Sequence, residues 1–196
     1  MLANREPVSL RNLVQGTGVS TMAVYTYFDG MPGVWRAVRS EGFARLAERL
    51  DAVAPTPDAV RDLAALGAAY VGTALEHPAL YRAMFDAAAD LDDPAAQERS
   101  FGRLVATARR ARSDGRFAGT CDPTGLAVRQ WASGHGLVML TLTGVLAPET
   151  LDSQAPATLA ALFVDAGDDP HRCRASVTSG WGSIRPQPAR LPGAAG

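Results

Sequence analysis

The sequence predicts an all-α protein in which a helix-turn-helix domain precedes a larger helical domain. Strand-like alternation of apolar and polar residues never persists, whereas Ala and Leu recur three and four residues apart along the chain. Proline after Thr or Asp marks helix starts, because the N–H that proline lacks at the first helical position would be unpaired anyway. We expect such starts at Pro57, Pro94, Pro123 and Pro170.

The first short helix is predicted to begin after Ser9, whose side chain can cap it. Leu10, Leu13 and Val14 follow at spacings of three and four residues. This spacing places them on one apolar face, which we expect to be buried.

A turn at Gly18 and Val19 separates this helix from a second one. Gly18 suits the sharp turn because a positive φ costs glycine nothing, and Val19 is expected to fill the space between the helices. Ser20 is the predicted N-cap of the second helix. Val24 and Phe28, four residues apart, are expected to point into the core. The outward face then carries Thr21, Met22, Tyr25 and Thr26.

Longer helices are predicted after this pair. The first of them, over residues 32–52, has one apolar stripe of Trp35, Val38, Gly42, Leu46, Leu50 and Val53. The proline-rich segment 54–57 is expected to separate two domains, residues 1–53 and residues 57–181. The other helices are predicted over 58–76, 79–89, 95–113, 124–144, 155–166 and 170–179, with a turn at 115–121 and a disordered tail over 182–196.

Composition and charge limit the possible functions. The chain is 47% hydrophobic and 20% charged with a net charge of −1, which fits a globular protein and excludes a general polycation. Residues 1–50 hold six Arg against four acidic residues, a mild positive balance of the kind DNA binding needs. Cys121 and Cys173 are isolated, and no membrane span or signal peptide is recognisable, so we expect a cytoplasmic protein without a membrane partner.

Side chains on the outward face of the second helix have chemistry suited to reading DNA. Thr21 can donate or accept at a base edge, and Met22 and the Tyr25 ring can contact a thymine methyl. The hydroxyls of Tyr25 and Tyr27 can reach phosphates, and Arg11 on the first helix can contact guanine. An ordinary helical hairpin with a glycine turn is the alternative interpretation.

Residues 17–30, TGVSTMAVYTYFDG, and the following MPGVWRAV resemble the TetR family of bacterial transcriptional regulators. Its members have a Gly-Val-Ser turn, a Tyr-x-His/Tyr-Phe end to the recognition helix and a long helix after it. The resemblance implies a homodimeric transcriptional regulator, a repressor, that binds double-stranded DNA at a palindromic operator. It places DNA contacts at Ser9, Arg11, Ser20, Thr21, Met22, Tyr25, Thr26 and Tyr27.

Two features depart from the family pattern. Met31 stands where members carry a Lys that anchors a phosphate, so the salt dependence of DNA binding should be flatter by about one unit. The family's first helix is represented by residues 1–5 at most, so we expect Leu13, Val24 and Phe28 to be partly exposed. Full burial of one such side chain stabilises a protein by ~1.5–3 kcal/mol, and each of the three would lose part of that stabilisation. The alternative function is therefore a helical ligand-binding dimer that has lost tight DNA binding.

Residues 128–140, VRQWASGHGLVML, resemble the "WHG" ligand-binding domain that follows TetR-type DNA-binding domains. Segments 76–85 and 161–181 resemble the same domain, and the resemblance extends over about residues 8–181. It implies that a small, largely apolar effector binds here, with no cofactor. The candidates for lining an apolar cavity are Tyr81, Met84, Phe85, Phe101, Trp131, His135 and Met139. Core packing is the alternative for each of them, and a structural hydrogen bond is the alternative for His135.

The resemblance also implies a four-helix dimer interface between the last large helices of two copies. The candidate interface residues are Leu137, Leu140, Leu142 and Val145 from one helix and Leu159, Leu162 and Phe163 from the next. Two recognition helices held about 34 Å apart would read a palindrome. An effector that changes their separation would release the operator.

Enzyme activity and metal binding are not expected. The three histidines are too scattered for a zinc motif, and the chain has no phosphate-binding glycine loop or nucleophile elbow. A cluster of Arg109, Arg110, Arg112 and Arg116 is interpreted as the solvated end of a helix, where cations complement the helix dipole. A nucleic-acid-binding patch is the alternative for this cluster.

Overall fold

The computed structural model describes residues 9–85 and 95–184, which form nine α-helices and no β-strand. The predicted all-α fold is therefore confirmed. The helices are α1 (Leu10–Val14), α2 (Thr21–Phe28), α3 (Met31–Asp51), α4 (Ala59–Glu76), α5 (Pro78–Met84), α6 (Ala95–Ser113), α7 (Pro123–Leu142), α8 (Pro148–Asp165) and α9 (Pro170–Ser183).

Several helix starts follow the predicted capping pattern. The Ser9 hydroxyl caps α1 and the Ser20 hydroxyl caps α2, each by accepting a hydrogen bond from a backbone N–H in the first turn. Pro123 and Pro170 lie in the first turn of α7 and α9, and each follows an aspartate that caps the helix. These starts confirm that an Asp-Pro pair can be read as a helix start in this chain.

Two predicted helix starts were wrong. Pro57 does not begin a helix, because Asp58 accepts two backbone hydrogen bonds as the N-cap of α4, which starts at Ala59. Helix α8 begins at Pro148 rather than at residue 155, and Pro156 lies inside it at the cost of one backbone hydrogen bond. The predicted start at Pro94, the residues after 85 of the predicted helix 79–89 and the tail from residue 185 lie outside the described residues.

Helix α4 is the centre of the larger domain. Fourteen of its eighteen residues are buried, because α3, α6, α7 and α9 all pack around it. The contact with α9 is especially close at Gly180, where a Cβ atom would lie 2.0 Å from the carbonyl oxygen of Arg61. Glycine is therefore needed at this position, since any side chain would force the two helices apart.

Helix α2 rests on the beginning of α3 and also contacts α1. Val24 is only 5% exposed, so its predicted place in the core is confirmed and its expected partial exposure was wrong. Gly33 lets α3 approach α2 so closely that a Cβ there would meet the Phe28 carbonyl oxygen at 1.4 Å. Phe28 is 41% exposed, which confirms the partial exposure expected from the short first helix and not the predicted place in the core. Val19 is 49% exposed, so the prediction that it fills the space between the helices was wrong. The reason is that the five-residue α1 covers little of α2.

The segment between α3 and α4 is fixed to the larger domain by hydrogen bonds. The backbone N–H and the hydroxyl of Thr56 each donate to the buried Asp62 carboxylate at 2.7 Å. Arg103 of α6 donates from Nη2 to the Val53 carbonyl oxygen at 2.7 Å. The C-terminal end of α3 is therefore held in place against α4 and α6.

Arg116 is not part of a solvated helix end, contrary to the prediction. It is 4% exposed, because the chain reverses at Gly115, with a φ of +70°, and directs the next side chain inward. Its Nε and Nη2 donate to the two carboxylate oxygens of Asp168 at 2.8 and 2.7 Å, and its Nη1 donates to Asp58 at 2.6 Å. Ser176 completes the network by donating to Asp58 at 2.6 Å.

This network keeps its groups charged despite their burial. Burial lowers the pKa of Arg116, but the carboxylates of Asp168 and Asp58 raise it, and the balance lies above its ordinary value. Burial raises the pKa of Asp58, but hydrogen bonds from Ser176 and the Arg61 backbone, together with Arg116, bring it below its ordinary value. The ion pairs connect the start of α4 to α9 and to the segment after α6.

The other three arginines of the cluster have separate positions. Arg110 pairs with the buried Asp62, and Arg112 donates to the Cys121 carbonyl oxygen at 3.1 Å. Arg109 is exposed, as the interpretation of a solvated helix end requires. The four arginines therefore do not form one continuous basic surface.

Candidate functional site

An apolar cavity lies inside the larger domain, bordered by α3, α4, α6, α7, α8 and α9. Its wall in the described part of the chain is mostly aliphatic and aromatic and contains no charged side chain. The lining residues are Leu46, Leu50, Leu66, Gly67, Tyr70, Val71, Ser100, Leu104, Gln130, Trp131, Ser133, Gly134, Leu137, Ala155, Thr158, Leu159 and Trp181.

The cavity is narrow in this conformation. Its volume is about 30 Å³, although the wider space between its lining atoms, part of which opens to solvent, amounts to about 540 Å³. A volume of 30 Å³ is room for two or three water molecules, since one water needs roughly 10–15 Å³. A ligand larger than a few atoms must therefore push the wall outward when it binds.

Four side chains beside the cavity form a chain of hydrogen bonds. The indole Nε1 of Trp131 donates to the Tyr70 hydroxyl at 3.2 Å, and the hydroxyls of Tyr70 and Tyr81 lie 2.6 Å apart. The Tyr81 hydroxyl lies 2.7 Å from Nδ1 of His135. The ring of His135 also packs against Phe85, with the ring centroids 4.4 Å apart.

The hydrogen bonds between these four side chains can be given a consistent order of donors and acceptors that starts at Trp131. Because an indole N–H can only donate, the Tyr70 oxygen accepts from Trp131 and its own proton is free to go to Tyr81. With His135 neutral and its ring proton on Nε2, Tyr81 donates in turn to Nδ1, and every group in the series has a partner. This order of donation fits a neutral His135.

The pKa shifts of these groups agree with that assignment. Burial lowers the pKa of His135 below its ordinary value, which favours the neutral ring. Burial also raises the pKa of Tyr70 to about 12, against smaller opposing effects of its hydrogen bonds. Burial, with Tyr70 beside it, raises the pKa of Tyr81 as well. The cluster is therefore uncharged at neutral pH.

The seven predicted ligand residues occupy three kinds of position. Trp131 borders the cavity, and Phe101 packs against it with ring centroids 5.6 Å apart. Tyr81, Phe85 and His135 form the aromatic cluster beside the cavity without bordering it.

The two methionines of the set lie farther from the cavity. Met84 is 1% exposed and packs against Gly42, where a Cβ atom would lie 2.3 Å from its Cγ. Met139 is half-buried against a group of buried residues that includes Val71, Tyr81 and Leu151. Their predicted contact with a ligand stays a prediction, as it does for the other five.

Sequence reasoning missed several residues that border the cavity, of which Gln130 is the most informative. Its side chain is 4% exposed and donates from Nε2 to the Leu63 carbonyl oxygen at 2.9 Å. The signal was available in the sequence. Gln130 lies three and four residues after Ala127 and Leu126, so it falls on the apolar face of α7, where a polar residue is unexpected.

Helix α3 borders the cavity and also supports the helix-turn-helix. Leu46 and Leu50, near its C-terminal end, form part of the cavity wall. Gly33, near its N-terminal end, contacts the backbone of Phe28 in α2. In between, Arg39 donates from Nε to the Met84 carbonyl oxygen at 2.7 Å, which joins α3 to the end of α5. One helix therefore connects the two candidate sites.

All eight residues predicted to contact DNA are exposed: Ser9, Arg11, Ser20, Thr21, Met22, Tyr25, Thr26 and Tyr27. Tyr27 is the most exposed of the large side chains at 80%, followed by Met22 at 70% and Tyr25 at 55%. Thr26 is partly engaged, because its hydroxyl donates to the Met22 carbonyl oxygen at 3.0 Å. The Tyr25 ring lies against Gly30.

The candidate DNA-reading face has no basic residue on α2 itself. Arg11 on α1 is the nearest exposed cation in the sequence. Met31 is the first residue of α3, where the family resemblance expects a Lys, and Gly30 before it provides no capping side chain. Contacts from α2 to DNA would therefore come from hydroxyls, the Met22 thioether, tyrosine rings and backbone N–H groups.

The described residues contain neither a metal-binding cluster nor a helix that could span a membrane. Within residues 9–85 and 95–184, no group of three or more His, Cys, Asp and Glu side chains is placed to hold a metal ion. Among the described helices, none combines the length and the hydropathy that a membrane span requires.

Comparisons with known proteins identify the family. A search of curated proteins gave no significant match. Among solved structures, one titled "Structure of a protein with unknown function from Rhodococcus sp. RHA1" is 26% identical in sequence and superposes with a TM-score of 0.70, over 82% of this chain and 86% of that chain. Residues 63–177, more than half of the chain, match the family model described as "Tetracyclin repressor-like, C-terminal domain". The chain therefore belongs to the TetR family of regulators, with a tetracyclin repressor-like C-terminal domain.

Proposed function

We propose that this protein is a cytoplasmic transcriptional repressor that binds a palindromic DNA operator as a homodimer and is released by a small apolar ligand. The observation that carries the proposal is the double role of α3. Leu46 and Leu50 line the cavity, and Gly33 on the same helix contacts the Phe28 backbone at the end of α2.

The small volume of the cavity supports a mechanical connection, through α3, between ligand binding and the position of α2. A ligand that enters must displace part of the wall, which includes Leu46 and Leu50. Thirteen residues separate Leu46 from Gly33, a distance of about 20 Å at 1.5 Å per helical residue. A small tilt of α3 at the cavity therefore becomes a larger shift of α2, which changes the separation of the two recognition helices in a dimer.

An exposed apolar stripe on α7 supports the proposed homodimer. Val128, Ala132, Gly136 and Leu140 recur every four residues on its outer face, with Val128 51% and Leu140 42% exposed. Small residues of the neighbouring α8, such as Ala157 and Ala161, are exposed as well. Such a surface suits helix packing against a second copy of the chain.

Some of the interface residues predicted from the sequence are buried within the subunit. Leu142, Leu159 and Phe163, three of the interface candidates from the sequence, are 8%, 5% and 0% exposed within the chain itself. They contribute to the subunit core and are not accessible to a partner. Leu140 and Val145 remain as accessible candidates from the original set.

Binding to DNA is tested by fluorescence anisotropy with fragments from the region upstream of the protein's own gene. We expect Thr21→Ala, Tyr25→Ala and Tyr27→Ala each to weaken binding roughly five- to tenfold, which corresponds to about 1 kcal/mol for a lost hydrogen bond or ring contact. Thr178→Ala, at an exposed threonine of α9, is the matched control and should leave affinity unchanged. If all three variants bind as the wild type does, the proposed reading face is wrong.

The alternative function is a ligand-binding dimer without tight DNA binding. It is favoured by the lack of a basic residue on α2 and by the exposure of Val19 and Phe28 around the helix-turn-helix. Low ionic strength strengthens phosphate contacts and so gives DNA binding its best opportunity. If the dimeric wild type binds a ligand but no upstream fragment even at low salt, this alternative replaces the repressor.

A further inference from the structure

We propose that the ligand of the cavity is a neutral, apolar molecule with a hydroxyl or N–H group that donates a hydrogen bond to Oε1 of Gln130. This inference rests on the proposed function, in which the cavity binds a small molecule. It adds the chemical class of that molecule and the atom that recognises it.

The orientation of the Gln130 amide follows from its contact with α4. Its nitrogen Nε2 lies 2.9 Å from the Leu63 carbonyl oxygen, and a carbonyl oxygen can only accept a hydrogen bond. Turning the amide over would bring two acceptors together. The oxygen Oε1 therefore occupies the other end of the amide, and Gln130 borders the cavity.

This oxygen is a buried acceptor that no described residue satisfies. Oε1 is inaccessible to solvent and accepts no hydrogen bond, and the whole side chain is 4% exposed. Leaving such a group unpaired is unfavourable, so buried polar atoms usually have a partner. A ligand that pushes the wall outward and presents a donor would supply the missing hydrogen bond.

Two other polar groups of the cavity wall, on Ser100 and Tyr70, are already engaged. The Ser100 hydroxyl donates to the Ala96 carbonyl oxygen at 2.8 Å, and the Tyr70 hydroxyl accepts from Trp131 and interacts with Tyr81. Among the described residues that border the cavity, Gln130 is the one with a buried polar atom that makes no hydrogen bond. That atom, Oε1, is an acceptor. Recognition by Gln130 therefore selects for a donor on the ligand rather than for a carbonyl or an ether oxygen.

The absence of charge on the cavity wall selects for a neutral ligand. None of the described residues that border the cavity is an Asp, Glu, Arg or His. A carboxylate or an ammonium group that entered would lose its hydration without gaining an opposite charge, which is strongly unfavourable. Alcohols, phenols and compounds with one amide or ring N–H meet both requirements.

Two isomers allow the proposal to be tested directly. The probes 4-propylphenol and 4-ethylanisole have the same molecular formula, but only the phenol can donate a hydrogen bond. We expect isothermal titration calorimetry of the full chain to show roughly tenfold tighter binding of the phenol, because the ether leaves Oε1 unpaired. The anion 4-propylbenzoate should bind at least tenfold more weakly than the phenol.

Variants of the cavity wall show whether the preference for the phenol depends on Gln130. Gln130→Met, of similar size but without an acceptor, should bind the two isomers with nearly equal affinity, and Gln130→Leu is a second variant should the first fold poorly. Ser133→Ala removes a different polar group from the same wall and should keep the preference for the phenol. Circular dichroism checks that each variant is folded.

The outcomes separate this inference from the proposed function. Equal binding of the isomers to the wild type, or a preference that persists in both folded Gln130 variants, would overturn the role of Gln130 but leave a ligand-binding cavity. If neither isomer bound the wild type, the inference would be overturned, and the proposal that the cavity takes small apolar molecules would fail with it.

Discussion

The Tyr81 hydroxyl lies 2.7 Å from Nδ1 of His135 and joins α5 to α7 beside the cavity. In the series of donors that starts at the Trp131 indole, Tyr81 donates to an unprotonated Nδ1, and burial of the ring favours this neutral form. Protonation of His135 at Nδ1 would remove this acceptor and force the Tyr81 hydroxyl to turn. The cluster therefore makes the stability of the larger domain sensitive to pH.

The expected pH dependence follows from the lowered pKa of His135. In the unfolded chain a histidine titrates near pH 6.5, whereas burial lowers the pKa in the folded protein. The unfolded state therefore binds more protons just below pH 6.5, and the free energy of unfolding should decrease as the pH falls through that region towards the folded pKa. Urea denaturation at pH 7.5 and pH 5.5 measures this decrease.

Two asparagine variants isolate the contribution of His135. His135→Asn offers an amide oxygen that can accept the hydrogen bond of Tyr81 but does not titrate, so its decrease in stability between the two pH values should be smaller than that of the wild type. His171→Asn, at an exposed histidine, should behave as the wild type does. Equal decreases in all three proteins would contradict the assigned role.

Removal of Arg116 should strongly destabilise the larger domain. Arg116→Ala leaves the buried carboxylate of Asp168 without its partner, and breaking a buried ion pair in this way costs about 3–5 kcal/mol. The control Arg109→Ala, at an exposed arginine, should change the free energy of unfolding by less than about 0.5 kcal/mol. Chemical denaturation of the two variants compares the effects, and similar values for both would refute the role of the network.

A methyl group at Gly33 should impair DNA binding while leaving the ligand cavity intact. In Gly33→Ala the new Cβ would overlap the Phe28 carbonyl oxygen, so α2 must shift relative to α3. We expect operator affinity to fall at least tenfold, about 1.4 kcal/mol, with unchanged ligand affinity. Gly102→Ala, at a helical glycine with open space around it, should keep the wild-type operator affinity. A Gly33→Ala protein that binds DNA normally would be incompatible with this packing.

A larger side chain at Gly136 should disrupt the dimer without unfolding the subunit. No atom lies within 4 Å of a Cβ placed at Gly136, so the subunit itself can accept Gly136→Leu. The leucine would instead interfere with a partner packed on the stripe of α7. Light scattering after size-exclusion chromatography should show a dimeric wild type, a dimeric Gly102→Leu control and a monomeric Gly136→Leu. A dimeric Gly136→Leu would place the interface elsewhere.

Capping residues and prolines that are neighbours in the sequence predicted several of the helix starts. The starts of α7 and α9 were predictable because Asp122-Pro123 and Asp169-Pro170 combine a capping side chain with a proline that fits the first turn. The start of α8 was missed because Pro148 follows Ala147, which has no capping side chain, and the predicted start at residue 155 lies inside the helix. A proline within a helix is tolerated where surrounding contacts offset its cost, and sequence patterns do not show those contacts.

Features that depend on distant partners were not predictable. Arg116 looks like an ordinary helix-end arginine in the sequence, and its burial depends on Asp58 and Asp168, which lie 58 and 52 residues away. The burial of Gln130 was indicated by its place on the apolar face of α7, but the direction of its amide depends on the distant Leu63 carbonyl oxygen. Trp131 was recognised as a cavity residue, because its large aromatic side chain lies within a motif of the family.

In the proposed mechanism, a ligand that occupies the cavity changes the affinity of the protein for DNA through α3. The most direct test measures operator affinity by fluorescence anisotropy with and without a saturating amount of the tightest ligand from a thermal-shift screen of small apolar compounds. A second protein, Gly134→Leu, fills part of the cavity, and a Cβ at this position meets only the Tyr70 ring at 3.7 Å. We expect at least tenfold weaker DNA binding of the ligand-saturated wild type and little response of the variant. An unchanged operator affinity of the ligand-saturated wild type would contradict it.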